Sequence, residues 1–222
     1  MTARIEAPSH DCALCPRLVA YRLANRAANP GWFNGPVPSF GPLDARFLVV
    51  GMAPGVKGAN RTGRPFTGDH AGLLLFHTLI KFGFAQGVYR AEPDDGVSLH
   101  DARIINAARC VPPQNKLETS EINACNRFLA SELGGLDQVR VILALGGDAH
   151  KGVLKALGLR PAHYAFAHGA FHKLPDGRIL ADSYHVSRYN TNTGRLTTAM
   201  FEDVLRRVKA TLPQGGQRER VD

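Results

Sequence analysis

Four short apolar runs alternate with helical segments along the chain, and this alternation is the strongest constraint on its fold. The runs lie at 46–51, 103–106, 139–145 and 177–184, and apolar residues at helical spacing follow at 73–82, 119–133, 148–157 and 196–212. Strand and helix alternating in this way predict parallel strands covered by helices on both faces. We therefore expect an α/β fold, a three-layer αβα arrangement around a mostly parallel, four-stranded sheet.

A chain of 222 residues fits one domain of ordinary size. Its hydrophobic share of 44% and charged share of 21% exclude a mostly disordered, collagenous or coiled-coil protein. We expect a single domain over residues 1–212, which includes an N-terminal arm with two cysteines. Residues 213–222 are expected to form a disordered tail.

No segment of the sequence suggests a membrane span or a secretory leader. No window approaches the roughly 18 consecutive apolar residues that a membrane span needs. The segment from Met1 to His10 lacks a basic stretch followed by an apolar one. We therefore expect a cytoplasmic protein without a membrane partner.

The charge balance favours a polyanionic partner. The chain has 27 Lys and Arg residues against 19 Asp and Glu residues, a formal net charge of +8. Surplus positive charge attracts polyanions and favours counterion release on phosphate binding, so nucleic acid is a leading candidate. Excess charge of this size is also common in other proteins, and Arg218 and Arg220 place part of it in the tail.

Four cysteines are too few for a disulfide scaffold in a chain of this length, which indicates a reducing compartment. Cys12 and Cys15 form a C-x2-C pair, and Cys110 and Cys125 follow about a hundred residues later. If the fold brings the two pairs together, four thiolates can hold either zinc or an iron-sulfur cluster. Alternatively, one pair is structural and the other is merely buried.

The loops at the carboxyl ends of the predicted strands should share one mouth, because ligands bind there in open parallel sheets. These loops follow Val50, Ile105, Leu145 and Tyr184. The first loop contains Phe66, and Asn106 and His185 stand at two further strand ends. We therefore expect these three side chains to meet.

Several segments resemble uracil-DNA glycosylases of the iron-sulfur type. The sequence Gly51-Met52-Ala53-Pro54-Gly55, continued by the segment from Asn60 to Asp69, resembles their first motif region. The segment from His185 to Asn190, which reads HVSRYN, resembles their second motif, and Asn106 matches the asparagine that ends a middle strand. Since the late motif reads His-Val-Ser, the chain is most similar to family 5, the B-type enzymes. The resemblance spans roughly Cys12 to Phe201.

This resemblance implies a monofunctional DNA repair glycosylase. Such an enzyme flips uracil out of DNA, hydrolyses the N-glycosidic bond and leaves an abasic site. The resemblance also implies that hypoxanthine or other deaminated bases are further candidate substrates, and we expect a monomer. It further implies a structural [4Fe-4S] cluster, in preference to zinc, at Cys12, Cys15, Cys110 and Cys125.

A flipped base needs a slot that sandwiches its ring and hydrogen-bonds its edge. Phe66 can stack on the base, and the amide of Asn106 matches the O4 and N3–H of uracil. The backbone of the loop that begins with Gly51, Met52 and Ala53 can approach the base closely.

His185 can hydrogen-bond the O2 atom of the base, on which negative charge grows as the glycosidic bond stretches. Each residue also has an ordinary structural interpretation: Phe66 as a core aromatic, Asn106 as a structural cap, and His185 as a satisfied polar group. The sequence assigns no functional role to six other histidines: His77, His100, His150, His163, His168 and His172.

The first motif departs from that of related families, which place a carboxylate or amide there to orient the attacking water. The matching residues here, Met52 and Ala53, are apolar, as they are in family 5. We expect Asn60 or Asp69 to position the water instead. Lys57 gives no reason to predict a Schiff base, so strand cleavage is not expected.

The loop from His185 to Asn190 is expected to enter the minor groove and to hold the gap left by the flipped nucleotide. Arg188 and Tyr189 are candidate wedge or phosphate contacts, and Ser187 is a candidate phosphate ligand.

Two other classes of protein remain open at this stage. The first is a non-catalytic, metal-stabilised DNA-binding module. The second is a zinc-stabilised α/β protein that acts on a nucleotide or another small molecule. The loop from Gly51 to Gly55 lacks the Gly-Lys-Ser/Thr ending of a Walker motif, which weakens the second alternative.

Overall fold

In the computed structural model, the described residues are 5–213, so the predicted tail lies outside them except for Pro213. The strands are β1 (Phe47–Gly51), β2 (Ala85–Gln86), β3 (Ser98–Leu99), β4 (Ala102–Asn106), β5 (Val141–Leu145), β6 (Phe171–Lys173) and β7 (Ile179–Ser183). The helices are α1 (Pro16–Ala28), α2 (Ala59–Thr62), α3 (His70–Lys81), α4 (Thr119–Gly135), α5 (Gly147–Ala156), α6 (Arg188–Asn192) and α7 (Thr198–Thr211).

The main sheet has the strand order β4-β1-β5-β7-β6. Its first four strands are parallel, and β6 pairs antiparallel with β7. The predicted α/β fold with a mostly parallel sheet is therefore confirmed, but the sheet has five strands instead of the predicted four. The sequence at 177–184 was predicted as strand throughout, whereas Gly177 lies in the turn between β6 and β7 at φ 87°.

The two faces of β1 explain why its sequence is a continuous apolar run. Phe47 and Val49 pack into one core cluster, with residues of α3 and α7. Leu48 and Val50 pack into a second cluster, with residues of α4 and α5. All four side chains are fully buried, and each contributes about 1.5–3 kcal/mol of hydrophobic stabilisation. Helices thus cover both faces of the strand that leads into the site.

The N-terminal arm is attached to the body of the domain through α1. Cys15 is extended and Pro16 occupies the first turn of α1, where its missing N–H removes no hydrogen bond. Arg17 on α1 forms an ion pair with Glu121 on α4 at 2.7 Å. Glu121 also takes part in the capping box that begins α4. The arm is therefore tied to the helix that carries Cys125.

The small two-stranded sheet of β2 and β3 was not predicted, and a buried ion pair holds the segment between these strands. The Arg64 guanidinium donates two hydrogen bonds of 2.8 Å to the carboxylate of Asp95, and both side chains are buried. The same guanidinium lies 5.3 Å from the ring centroids of Phe40 and Phe76. This ion pair connects the loop before α3 to the segment between β2 and β3.

Across residues 5–213, every helix is too short or too polar to cross a lipid bilayer.

Candidate active site

A cavity of about 880 Å³ opens at the carboxyl edge of the sheet, where the loops after β1, β4 and β7 meet. Its lining includes most of the site residues predicted from the sequence: Met52, Ala53, Phe66, Asp69, Asn106, His185, Ser187 and Arg188. Three further predicted residues, Gly51, Asn60 and Tyr189, are not part of that lining. The expected meeting of Phe66, Asn106 and His185 therefore takes place in one cavity.

Gly51 allows the aromatic ring and the amide to approach each other. It pairs in register with Asn106 on β4. A Cβ at Gly51 would lie 2.5 Å from Asn106 Oδ1 and 2.5 Å from Phe66 Cζ, which no real side chain tolerates. The glycine that ends the apolar run is therefore needed for the close approach of Phe66 and Asn106.

Asn106 holds a buried acceptor without a protein partner. The residue is only 2% exposed, and its Oδ1 has no hydrogen-bond partner among the described residues. An unsatisfied buried acceptor costs about 1–3 kcal/mol, so such atoms are rare in folded proteins. The position suits an acceptor for a ligand N–H.

Phe66 adopts a backbone conformation that few large residues occupy, with φ at +54°. The Tyr89 hydroxyl donates a hydrogen bond of 3.0 Å to the Phe66 carbonyl. The Tyr89 ring in turn stacks on Phe76, with centroids 4.6 Å apart. The strained conformation of Phe66 is thus held from the core side, while its ring faces the cavity.

His185 and Asp69 place an imidazole and a carboxylate in the same cavity. The His185 and Phe66 ring centroids are 6.2 Å apart. Burial lowers the pKa of His185, and the charge of Asp69 offsets only part of this effect. The imidazole is therefore neutral at neutral pH.

The two oxygens of the Asp69 carboxylate have different surroundings. Oδ1 accepts from the Gly72 N–H at 3.3 Å and caps α3. Oδ2 lies beside the first loop, where a Cβ at Gly55 or Gly58 would approach it to 3.2 or 2.4 Å. Burial raises the pKa of Asp69 above its usual range.

Asn60 occupies a structural position outside the cavity. It is 1% exposed, and its Nδ2 donates to Asn34 Oδ1 at 3.0 Å. Its backbone carbonyl accepts from the Asn34 N–H at 2.9 Å. Asn60 therefore joins α2 to the loop after α1, and of the two residues predicted to position water only Asp69 lines the cavity.

The loop after β7 continues directly into α6. Ser187 caps this short helix by accepting from the Asn190 N–H at 3.3 Å, and Asn190 Nδ2 donates to the His185 carbonyl at 2.8 Å. Arg188 lies at the rim of the cavity. Tyr189 is 71% exposed, which is unusual for an aromatic side chain. The loop thus presents a cation and a ring to solvent beside His185.

The cavity also contains Lys57, to which the sequence gave no role, and four polar residues that the sequence did not single out: His70, Asn115, Lys116 and Asp148. Asn115 and Lys116 follow β4 in the turn around the 3-10 helix Pro113–Asn115. The rule that ligands bind at strand ends could have found them. His70 Nε2 lies 3.0 Å from Thr191 Oγ1, a contact that joins α3 to α6.

All four cysteines line a second, small pocket between α1, α4 and the loop after β4, and all are free of disulfides. Burial, together with the neighbouring Cys125, raises the pKa of the Cys110 thiol to about 12. Arg22 lies against this pocket, with Nη1 3.8 Å from Cys110 Sγ, and its buried Nε has no partner among the described residues. The Arg109 N–H donates to Cys125 Sγ at 3.3 Å. The Arg22 cation at Cys110 and the Arg109 N–H at Cys125 oppose part of the effect of burial, although the pKa of both thiols stays raised.

The cysteine sulfurs are more widely spaced than one zinc ion allows. Within the described structure, no three of them lie within 4.8 Å of one another. Zinc–sulfur bonds of about 2.3 Å would keep all sulfurs of a zinc site within about 4.6 Å. In this arrangement, the four sulfurs of the described structure do not form a site for a single zinc ion.

An α/β sheet that delivers an aromatic ring, an unsatisfied amide, an imidazole and a carboxylate to one cavity defines an enzyme that binds a flat, polar ring. The family described as the uracil DNA glycosylase superfamily matches residues 38–209. The chain belongs to this superfamily.

Three relatives resemble the chain over most of its length. A type-5 uracil-DNA glycosylase of Thermus thermophilus is 47% identical over 204 residues, which cover 89% of this chain and 92% of that protein. One of Pyrobaculum aerophilum is 42% identical, with 90% and 88% covered. One of Mycobacterium leprae is 38% identical, with 89% and 90% covered. The predicted family is confirmed, including its similarity to the type-5 enzymes.

Proposed function

We infer that this chain is a uracil-DNA glycosylase, a DNA repair enzyme that hydrolyses the N-glycosidic bond of uracil and leaves an abasic site. The main support for this conclusion is the buried Oδ1 of Asn106, which lies beside Phe66 and His185 and has no hydrogen-bond partner among the described residues. The family membership and the relatives' names support the same activity. Residues 1–212 are proposed to act as one domain.

Base recognition follows from the hydrogen-bonding pattern of the uracil edge. Asn106 Oδ1 accepts from N3–H, and its amide N–H donates to O4. Cytosine presents the opposite pattern at these two positions, so both contacts are lost. Phe66 stacks on the flipped ring, and the loop backbone from Gly51 to Ala53 borders the slot.

Cleavage needs a stabilised leaving group and a placed water molecule. As the glycosidic bond breaks, its electron pair moves onto the base, and the neutral His185 ring donates a hydrogen bond to O2. A donor aimed at developing charge contributes about 3 kcal/mol. Water then bonds to C1′ of the oxocarbenium-like sugar, and its proton passes to Asp69 or to solvent. Asp69 Oδ2 is proposed to hold this water.

The apolar first motif favours a broader range of bases. Met52 and Ala53 line the cavity without a polar group that would select one ring edge. A cavity of about 880 Å³ also has room for a purine. We propose that other deaminated bases, such as hypoxanthine, are substrates as well.

The DNA duplex is proposed to bind across the cavity rim as a substrate of a monomeric enzyme. Arg188, Lys57 and Lys116 line the cavity and can contact phosphates flanking the flipped nucleotide. The Ser187 hydroxyl is a further candidate phosphate ligand, and the exposed Tyr189 ring is a candidate wedge in the minor groove.

The four cysteines are proposed to hold a [4Fe-4S] cluster, with zinc as the less favoured alternative. Arg22 is buried beside the cysteines, and its Nε has no partner among the described residues, which supports an anionic centre there. The centre would supply structural cross-linking between the N-terminal arm, the loop after β4 and α4. The free thiols also fit the proposed cytoplasmic location.

The activity is tested by incubating the protein with an oligonucleotide that contains one uracil and then treating it with alkali. We expect strand breaks at uracil only after alkali, none with cytosine or thymine, and a loss of at least about 100-fold in His185→Ala. Tight binding of uracil DNA without abasic sites would instead identify the non-catalytic DNA-binding module.

A further inference from the structure

Two histidines surround one buried carboxylate at the edge of the main sheet, away from the cavity and the cysteines. Asp182 lies on β7 and is fully buried, His150 lies on α5 and is 2% exposed, and His172 lies on β6. One ligand atom from each residue can be chosen so that all three lie within 4.8 Å of one another. The cluster therefore joins three elements through groups that bind metals.

The His150 ring faces a hydrogen-bond acceptor at each nitrogen. Nδ1 lies 2.8 Å from Asp182 Oδ1, and Nε2 lies 2.9 Å from the Tyr164 carbonyl oxygen. A backbone carbonyl only accepts, so Nε2 carries a proton and donates it. The neutral ring then points a lone pair from Nδ1 at the carboxylate. A positive charge must lie between Nδ1 and Asp182, and either a proton or a metal ion can supply it.

The two remaining polar atoms of the cluster, on His172 and Asp182, have unsatisfied hydrogen-bonding capacity. His172 Nε2 and Asp182 Oδ2 are 3.3 Å apart, and both atoms are buried without a hydrogen-bond partner among residues 5–213. A separation of about 3.3 Å is the spacing of two ligands in a tetrahedral site with bonds of about 2.0–2.1 Å. A proton on His150 satisfies Nδ1, but His172 Nε2 and Asp182 Oδ2 still lack a partner with hydrogen-bond geometry among the described residues.

We propose that His150 Nδ1, His172 Nε2 and Asp182 Oδ2 bind a divalent transition-metal ion of the zinc class. Two imidazoles and one carboxylate suit zinc and are unsuited to magnesium or calcium, which prefer oxygen ligands. The hydrogen bond from His150 Nε2–H to the Tyr164 carbonyl fixes the ring as metal-binding histidines require.

The site has a route to solvent and a structural consequence. The His172 side chain is 19% exposed, so the ion can enter from this side and a water molecule can complete its coordination. The ion cross-links the edge strand β6 to β7 and α5. Because His185 follows Asp182 closely on the strand end, binding stabilises the segment that delivers His185 to the cavity.

Cobalt binding to the protein as isolated, with its cysteine-bound centre retained, tests this site directly. We expect one Co²⁺ per chain, with visible ligand-field bands and no added thiolate-to-metal charge-transfer absorption in the difference spectrum against the protein without cobalt. Zinc should displace the cobalt and raise the melting temperature. In His172→Gln, we expect the affinity for Co²⁺ to fall by at least about 10–100-fold, because loss of a direct ligand should weaken binding at least as much as loss of an outer-shell partner.

The matched control is His163→Gln, which removes an exposed histidine near the site and should retain full binding. No bound Co²⁺ in a protein that folds normally would overturn the metal site and leave the proton as the only charge. Binding unchanged in His172→Gln but lost in Cys110→Ser would place the metal at the cysteines only. Neither outcome depends on uracil excision, so the proposed enzyme activity is tested separately.

Discussion

Gly51 ends β1 at the place where the Phe66 ring and the Asn106 amide come together. Its missing side chain is a requirement of the site, because a Cβ would lie 2.5 Å from atoms of both residues. In an ordinary parallel strand, a buried apolar side chain at this position would instead add to the core. If the proposed base-binding slot is correct, the geometry of the strand end and the function both require glycine at this position.

We expect Gly51→Ala to lower kcat/KM for uracil excision by at least about 100-fold, because displacement of groups from the productive geometry is costly. Circular dichroism and the melting temperature report whether the fold persists. Gly134→Ala is the matched control, since a Cβ there meets nothing within 4 Å. Full activity in Gly51→Ala would show that Phe66 and Asn106 need not approach each other.

The pH dependence of excision is assigned to Asp69. Burial raises its pKa, so the active carboxylate forms only at a pH above the ordinary aspartate value of about 4. We expect single-turnover rates to rise with pH along an acidic limb, and Asp69→Asn to lose this limb together with about 100-fold in rate. The control is Asp44→Asn, which changes an exposed aspartate. An acidic limb that persists unchanged in Asp69→Asn would contradict the assignment of this limb to Asp69.

The sequence predicted the positions of some site residues and could not distinguish the roles of others. Phe66, Asn106 and His185 were predicted to meet because strand ends share one edge of a parallel sheet. Asn60 and Asp69 could not be distinguished, since both are polar residues of the same loop. Only the fold shows that Asn60 pairs with Asn34, 26 positions away in the sequence.

At the scale of elements, the five-residue strands of the main sheet and the helices α3, α4, α5 and α7 were predicted, and the short elements were not. β6 has only three residues and half-buried positions, so its sequence lacks a clear apolar alternation. α2 and α6 have four and five residues, which is too short for helical periodicity to register. The segment between β2 and β3 depends on the distant pair of Arg64 and Asp95, which local sequence does not reveal.

The ion pair between Arg64 and Asp95 stabilises the segment between β2 and β3, and this stabilisation depends on pH. Burial alone would raise the pKa of Asp95, but hydrogen bonds from Arg64 and from two backbone N–H groups lower it to about 2. Because the pKa in the folded state lies below the unfolded value, the stabilisation is complete above about pH 4 and is lost as the pH falls towards 2.

We expect Asp95→Asn to lower the free energy of unfolding at pH 7 by about 3–5 kcal/mol, since it leaves the Arg64 charge buried and unpaired. Urea unfolding measured between pH 7 and pH 2.5 checks both the loss and its pH dependence. The neighbouring exposed Asp94 gives the control Asp94→Asn. Equal stability of the Asp95 and Asp94 variants would contradict the structural role of the pair.

At the scale of the whole molecule, one sheet edge carries the cavity, and the cysteine pocket anchors the N-terminal arm beside α4. The family could be predicted because several motifs occur in the right order. The inorganic centre could not be derived from spacing alone, because four thiolates suit both zinc and an iron-sulfur cluster. The buried Nε of Arg22, which has no partner among the described residues, supports the proposed anionic centre in this pocket.

We expect the isolated protein to contain about four iron atoms per chain and Cys110→Ser to contain much less, with a lower melting temperature. Iron analysis, visible absorbance and protease sensitivity of residues 5–28 measure the three effects. Stoichiometric zinc without iron in protein purified anaerobically would contradict the proposed cluster.

The most direct test of the base-binding slot compares two buried asparagines in single-turnover excision of uracil. We expect Asn106→Ala to lose at least about 100-fold in rate, with stability changed by no more than about 1–3 kcal/mol, because its Oδ1 forms no hydrogen bond with residues 5–213. We expect Asn60→Ala to lose stability while the folded enzyme keeps its rate within about tenfold. Rapid excision by Asn106→Ala, or equal loss of rate in both variants, would contradict the assigned role of Asn106.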